Sequence, residues 1–157
     1  MSSSLEPDAR PAPLRTGAVV ADLTGRGAIA VTGPDSAALI HGLVTNEVKG
    51  LHPGSGASAA LLTPKGKMRA YLAVLRLSQE ELLLDCEPAL AAPLMAILSG
   101  YVPFSRSILD DRTASTCVLH LEGPGASDVL AATGIAEPAA APFSHLVTEL
   151  EDAAVRV

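Results

Sequence analysis

Tryptophan is absent from this chain, and only two Phe and two Tyr stand among its 157 residues. A core must therefore be built from Ala, Val, Leu and Ile, and the shortage argues against an aromatic platform for stacking single-stranded bases. Positive charge is also scarce. Eleven Lys and Arg against 17 Asp and Glu leave a net charge of -6, and the only lysines are Lys49, Lys65 and Lys67. The basic footprint of a free-standing nucleic-acid binder is missing, so no direct nucleic-acid partner is expected. The two cysteines, Cys86 and Cys117, lie far apart with no CxxC and no His-x-x-Cys neighbour. That spacing suits neither a metal site nor a redox motif, and both read as buried small hydrophobes. His41, His52, His120 and His145 form no i, i+4 pair with a partnering acid, so no zinc site is expected. No stretch reaches the roughly 18 uninterrupted apolar residues of a membrane span, and the first residues lack an apolar signal core. Glu6 and Asp8 sit where a mitochondrial transit peptide avoids acids. The expectation is a soluble protein of the reducing cytoplasm.

What is present suits one globular domain: 48% of the residues are hydrophobic and 18% charged. Residues 1–15 are rich in Ser and Pro and read as a disordered tail, leaving 16–157 as the folded part. From Ala28 the run AIAVTG reads as a strand ending in a Gly33-Pro34 turn, and AALIHGLV has the spacing of a helix ending near Thr45-Asn46. Three β-type runs follow at 57–63, 67–77 and 81–87. Their short connections predict antiparallel neighbours. Pro88 suits the first turn of a helix that Gly100 would stop. Then come SRSILDD, a strand TCVLHLEG and a helix entered at Pro124 that carries Val129 and Leu130. The segments IAVTGPDSAAL (29–39) and LHLEGPGASDV (119–129) repeat strand, Gly-Pro turn and helix start 90 residues apart, which suggests a duplicated unit. The carboxyl end, HLVTELEDAAVRV, reads as a strand or hairpin, so the second unit looks unfinished.

Several of these pieces, in this order, resemble a known family. Asp22-Leu23, Gly33-Pro34-Asp35, Thr45-Asn46-Glu47-Val48, Pro53-Gly54 and Pro64-Lys65-Gly66-Lys67-Met68 are similar to the T-protein of the glycine cleavage system and its relatives. The resemblance runs over roughly residues 17–135. It implies an α+β fold in which a duplicated strand-helix-strand unit surrounds a folate channel, here apparently truncated, with tetrahydrofolate as the ligand. Aminomethyltransferases of this family carry an aspartate pair on the strand after the Gly-rich turn, and Ala70 and Tyr71 stand in its place. A carboxylate beside a pterin nitrogen can hold a proton or stabilise an iminium, which neither replacement can do. No catalytic residue is therefore assigned. The YgfZ-type branch also departs from the aspartate pair, and its members support iron–sulfur proteins and a tRNA modification. Its Lys-Gly-Cys motif is absent from this sequence. The resemblance thus implies a YgfZ-type folate-binding protein, with an aminomethyltransferase or an inactive fragment as the alternatives.

Four residues are candidates for ligand contact. On a strand over 67–77, Lys67, Arg69 and Tyr71 project from one face, while Met68, Ala70 and Leu72 project from the other. The basic face suits an anion such as a folate glutamate tail, and equally suits a solvated strand face. Asn46 either lines the folate channel or ends the helix through its amide. Asp22 and Asp35 read as turn and helix-start acids.

Overall fold

The computed structural model describes residues 15–150 and 153–157. Most of the expected disordered tail, residues 1–14, lies outside the described residues. Its main body is a five-stranded sheet in the order β3-β4-β5-β2-β6, antiparallel throughout. The strands are β2 (Gly27–Thr32), β3 (Ser55–Leu62), β4 (Met68–Ser78), β5 (Glu81–Cys86) and β6 (Ile108–Asp111). The three β-type runs thus form antiparallel neighbours, as their short connections require. A separate ribbon pairs β1 (Val19–Asp22) with β7 (Leu119–Glu122). The carboxyl end is a hairpin of β8 (Val147–Leu150) and β9 (Ala153–Arg156), closed by reciprocal hydrogen bonds between Leu146 and Val157. Val157 thus ends in a paired hairpin.

The helices are α1 (Ser36–His41), α2 (Ala91–Ser99) and α3 (Ala126–Ala132). Pro88 opens a short 3-10 turn before α2, and Gly100 follows its end. Leu94 and Leu98, one turn apart, are both about 1% exposed and cover the sheet together with Ile40 of α1. Beneath them lie Ile29, Val31, Leu72, Val74, Leu82 and Leu84. β2 is buried from Gly27 to Val31, as an apolar run in a strand with neighbours on both edges requires. A smaller cluster of Ala28, Ala30 and Leu83, with Leu75 and Leu77, lies on the opposite face.

Helix α1 is shorter than its periodicity suggests. It ends at His41 rather than near Thr45-Asn46, because Gly42 breaks the run and Thr45 joins the edge of β3, donating its N–H to the Ala60 carbonyl. Asp35 precedes α1 but does not cap it through its side chain. Its carboxylate instead takes the backbone N–H, Nε and Nη2 of Arg106 at 2.9, 3.0 and 2.9 Å. Those bonds hold the Asp35 carboxyl down to about 2. Asp22 does act as a turn acid, accepting the Thr24 N–H at 2.8 Å. The cysteines differ. Cys86 is buried and its thiol is pushed up by burial and then by Asp85, whereas Cys117 is exposed, 3.1 Å from the Thr24 hydroxyl, because it precedes the thinly covered β7.

The two Gly-Pro passages share backbone detail. Gly33 and Gly123 have φ of 115° and 125°. A Cβ on Gly33 would stand 2.2 Å from the Arg106 carbonyl oxygen, and one on Gly123 would stand 2.3 Å from that of Gly17. Each turn therefore needs glycine for its left-handed backbone and for the chain segment beside it. The turns ahead of the passages match too. Asp111 accepts the Thr113 N–H at 3.0 Å, as Asp22 does that of Thr24. Leu23 donates to the Val118 carbonyl, and Arg112 to that of Ala28. The strand ahead of each turn pairs with the other passage: β1 lies on β7, and β6 on β2.

Candidate functional site

Alternation along β4 divides its side chains. Ala70, Leu72 and Val74 enter the core, while Arg69, Tyr71 and Ala73 face the opposite way. Register then sets Ser58, Ala73 and Asp85 in one cross-strand row, with Tyr71 opposite Ala60 one step along. Small side chains in the middle of the row and longer ones around it leave a trough of about 350 Å³. Arg69 and Tyr71 line one part of it, and Arg26, Asp85 and Glu87 another. Phe143, from the connection before β8, also lines it. Tyr71 is 58% exposed.

The trough carries both charge signs, unequally engaged. Arg26 donates Nε and Nη2 to the two oxygens of Asp85, at 2.7 and 3.1 Å, and Nη1 to Glu87 at 2.9 Å. The hydrogen bond to Asp85 is the main reason the Arg26 guanidinium is held more firmly protonated than usual. Bidentate pairing of this kind fixes both partners in orientation. Arg69, by contrast, has no ion pair among the described residues. The trough thus offers one uncommitted cation, a phenol, and a carboxylate pair bridged by one guanidinium.

Of the four candidates from the sequence, Arg69 and Tyr71 come together here. Lys67 does not line the trough. It stands in the β3–β4 turn, where its backbone N–H donates to the Thr63 hydroxyl at 3.0 Å and its carbonyl accepts from the Thr63 N–H. Asn46 reaches the trough only through β3: Nδ2 donates to the Ser58 carbonyl at 2.9 Å, and Oδ1 accepts the Glu47 N–H. Its amide therefore fastens the α1–β3 connection to the sheet edge. Met68, assigned to the opposite face from Arg69, lines the trough beside it and is 66% exposed. A register shift between Leu61 and Leu62 interrupts the alternation there.

Sequence reasoning missed Arg26, Asp85, Glu87 and Phe143. One signal for Asp85 was available: an acid closes the apolar run Leu82-Leu83-Leu84 and is followed by another buried residue, which places it on the second face of a strand. Nothing in the sequence marks Arg26 as its partner, 59 positions away. A second, flatter depression of about 520 Å³ lies between the two matching turns, lined by Thr24, Gly25, Asp111, Thr113 and Ala114. No helix among the described residues is long and apolar enough to cross a membrane.

"Putative transferase At1g60990, chloroplastic" of Arabidopsis thaliana is 26% identical over 130 residues, covering 82% of this chain and 30% of the relative. The glycine cleavage system aminomethyltransferase T of Bartonella henselae superposes with a TM-score of 0.73 at 20% identity, over 84% of this chain and 36% of that one. The heterotetrameric sarcosine oxidase of Corynebacterium sp. U-96, solved with pyrrole 2-carboxylate, gives 0.59 at 24% identity, over 88% of this chain and 68% of the matched one. These two likenesses show the shared fold, with its mixed helices and sheets. The chain spans about a third of the length of the plant relative and of the aminomethyltransferase. A family model described as the GCVT N-terminal domain matches residues 10–157, and the chain belongs to that family.

Proposed function

We propose that the trough binds tetrahydrofolate and that the protein acts as a YgfZ-type folate-binding accessory of iron–sulfur proteins, without transferring a methylene group. One observation carries this reading: both carboxylates that line the trough, Asp85 and Glu87, are paired with the Arg26 guanidinium. At the position of the family's aspartate pair, Ala70 is buried and Tyr71 is the residue that faces out. Asp85, the nearest acid across the sheet, has both oxygens engaged by Arg26. A base must reach the proton it takes, and a carboxylate held in orientation by a guanidinium is poorly placed to do so. Arg69 remains for an anionic group, such as the glutamate tail of a folate, and Tyr71 offers a ring face and a hydroxyl.

Lys67 and Asn46 are the outer members of this proposed site. Lys67 adds positive charge at the turn, and Asn46 holds the β3 edge that carries Ser58. The matching Gly-Pro passages support the duplicated-unit reading, with one strand exchanged between the units. The iron–sulfur and tRNA-modification role and the cytoplasmic location rest on resemblance to the YgfZ branch. Titration with tetrahydrofolate, run beside an aminomethyl-transfer assay, separates the readings: saturable binding without turnover is the expected result. Restoration of iron–sulfur enzyme activity in cells lacking a YgfZ-type protein tests the accessory role.

The position of Asp85 favours a second reading, in which the protein is an aminomethyltransferase that recruits this carboxylate from β5. It stands across from Ala73, one row from Tyr71. If turnover is found and Asp85→Asn abolishes it while Tyr71→Phe does not, this second reading replaces the first.

A further inference from the structure

The connection before β8 places a bulky ring on unfavourable backbone. Pro142 and Phe143 are the central residues of a turn in which the Ser144 N–H donates to the Ala141 carbonyl at 3.0 Å. Phe143 has a φ of 59°, the one positive φ outside glycine among the described residues. Proline second and a positive φ third is the pattern of a type II turn, whose third position is normally Gly or Asn. A phenylalanine there is strained, and its burial is only partial, since the residue is 41% exposed.

The turn is nevertheless held firmly. His145 donates its backbone N–H to the Gly54 carbonyl at 2.9 Å, and its Nε2 lies 3.1 Å from the Arg76 carbonyl oxygen. Its Nδ1 lies 3.2 Å from the carbonyl oxygen of Phe143 itself. His145 thus bridges the turn to the β3 and β4 backbones. The sheet is shaped to receive the ring: a Cβ on Gly56 would stand 3.1 Å from the Phe143 Cβ and only 2.7 Å from the Val74 carbonyl oxygen. Gly56 and Ser58 share one face of β3, so Phe143 stands beside the cross-strand row next to that of Ser58, Ala73 and Asp85.

Strain at a partly exposed ring on the rim of a cavity points to a contact with ligand. We propose that Phe143 is a ligand-contacting wall of the trough, a ring against which a planar heteroaromatic group packs, and that His145 is the positioning residue that latches it there. This deepens the folate reading and rests on it for the identity of the ligand. The floor of small side chains fits a flat group, and the ring supplies a second aromatic face in addition to that of Tyr71.

The test separates strain from packing. Phe143→Gly and Phe143→Asn suit the turn, so both variants should melt at or above the temperature of the unaltered protein. They should bind tetrahydrofolate roughly tenfold more weakly, the loss expected for one stacking contact. Phe143→Tyr keeps the ring and should bind within about twofold. His145→Ala should speed amide exchange at 143–146 while leaving β4 and β5 protected, and should weaken binding in the same direction. If Phe143→Gly melts several degrees lower, or binds as tightly as the unaltered protein, the ring is ordinary packing and the proposal falls. Unchanged exchange in His145→Ala removes the latch. Should the unaltered protein bind no tetrahydrofolate, the folate reading is lost, and the melting and exchange results alone decide whether the turn is strained and latched.

Discussion

After β2 the chain turns through Gly33 into a helix whose Ser36 and Ile40 are about 1% and 0% exposed, whereas after β7 the equivalent turn through Gly123 leads into a helix with no buried residue. The turns agree in φ, in the close approach of a neighbouring carbonyl and in the Asx turns that precede them. What differs is what lies on top. The first passage is flanked by β5 and β6 and roofed by α2, while the second has β1 as its one paired neighbour among the described residues. Local chemistry can thus set the same backbone twice, while burial depends on distant segments that cover only the first passage. Resistance to unfolding should follow burial, and the trough, built on β3, β4 and β5, sits on the well-covered part.

The sharpest way to break this comparison is one substitution made in both turns. Gly33→Ala forces a Cβ into the Arg106 carbonyl on a left-handed backbone, and should lower global stability by about 3 kcal/mol or more. Gly123→Ala meets the same clash with Gly17, but should open mainly the β1–β7 ribbon and leave the main sheet near its original stability. Urea unfolding with hydrogen exchange reports both. Equal global losses would mean that the two passages form a single cooperative unit.

Truncating an apolar side chain in each region gives the next largest contrast. Leu84→Ala removes a side chain about 1% exposed and should cost about 2–5 kcal/mol through the cavity it leaves. Leu119→Ala, at a residue 63% exposed, should change stability by no more than about 0.5 kcal/mol. A loss of several kcal/mol at Leu119 would show that the ribbon is covered in solution.

The smallest effect is electrostatic. Gly125 stands where the second passage would have an Asp35, so only the first passage carries the pair with Arg106. Because Asp35 is depressed to about 2 from an ordinary 3.8, its contribution is present above pH about 4 and fades as pH falls towards about 2. Carboxyl NMR titration should show this depression and its partial relief in Arg106→Ala, which keeps the backbone N–H bond. An ordinary titration of Asp35 in the unaltered protein would contradict the pairing.

The strands of the main sheet were legible because period-two alternation and short turns are local signals, strong in KMRAYLAVLRL and ELLLDCE. The two Gly-Pro turns were legible for the same reason. The end of α1 was not, since Thr45 leaves the helical path to join an edge of β3 that lies 15 positions ahead. Cys117 was misjudged because a small apolar residue reads alike whether its strand is covered or open. In the trough, Arg69 and Tyr71 followed from strand alternation, but their company did not. Arg26, Asp85 and Phe143 arrive from a turn, another strand and a late connection. Only strand order and register bring them together.

The account turns on whether the trough holds tetrahydrofolate without turning it over. Calorimetric titration of this chain, run beside an aminomethyl-transfer assay on the same preparation, measures both halves of that claim. Saturable binding, weakened roughly tenfold by Arg69→Ala, with no transfer above background, is the predicted result. Transfer by the unaltered protein, or the absence of saturable binding, would contradict it.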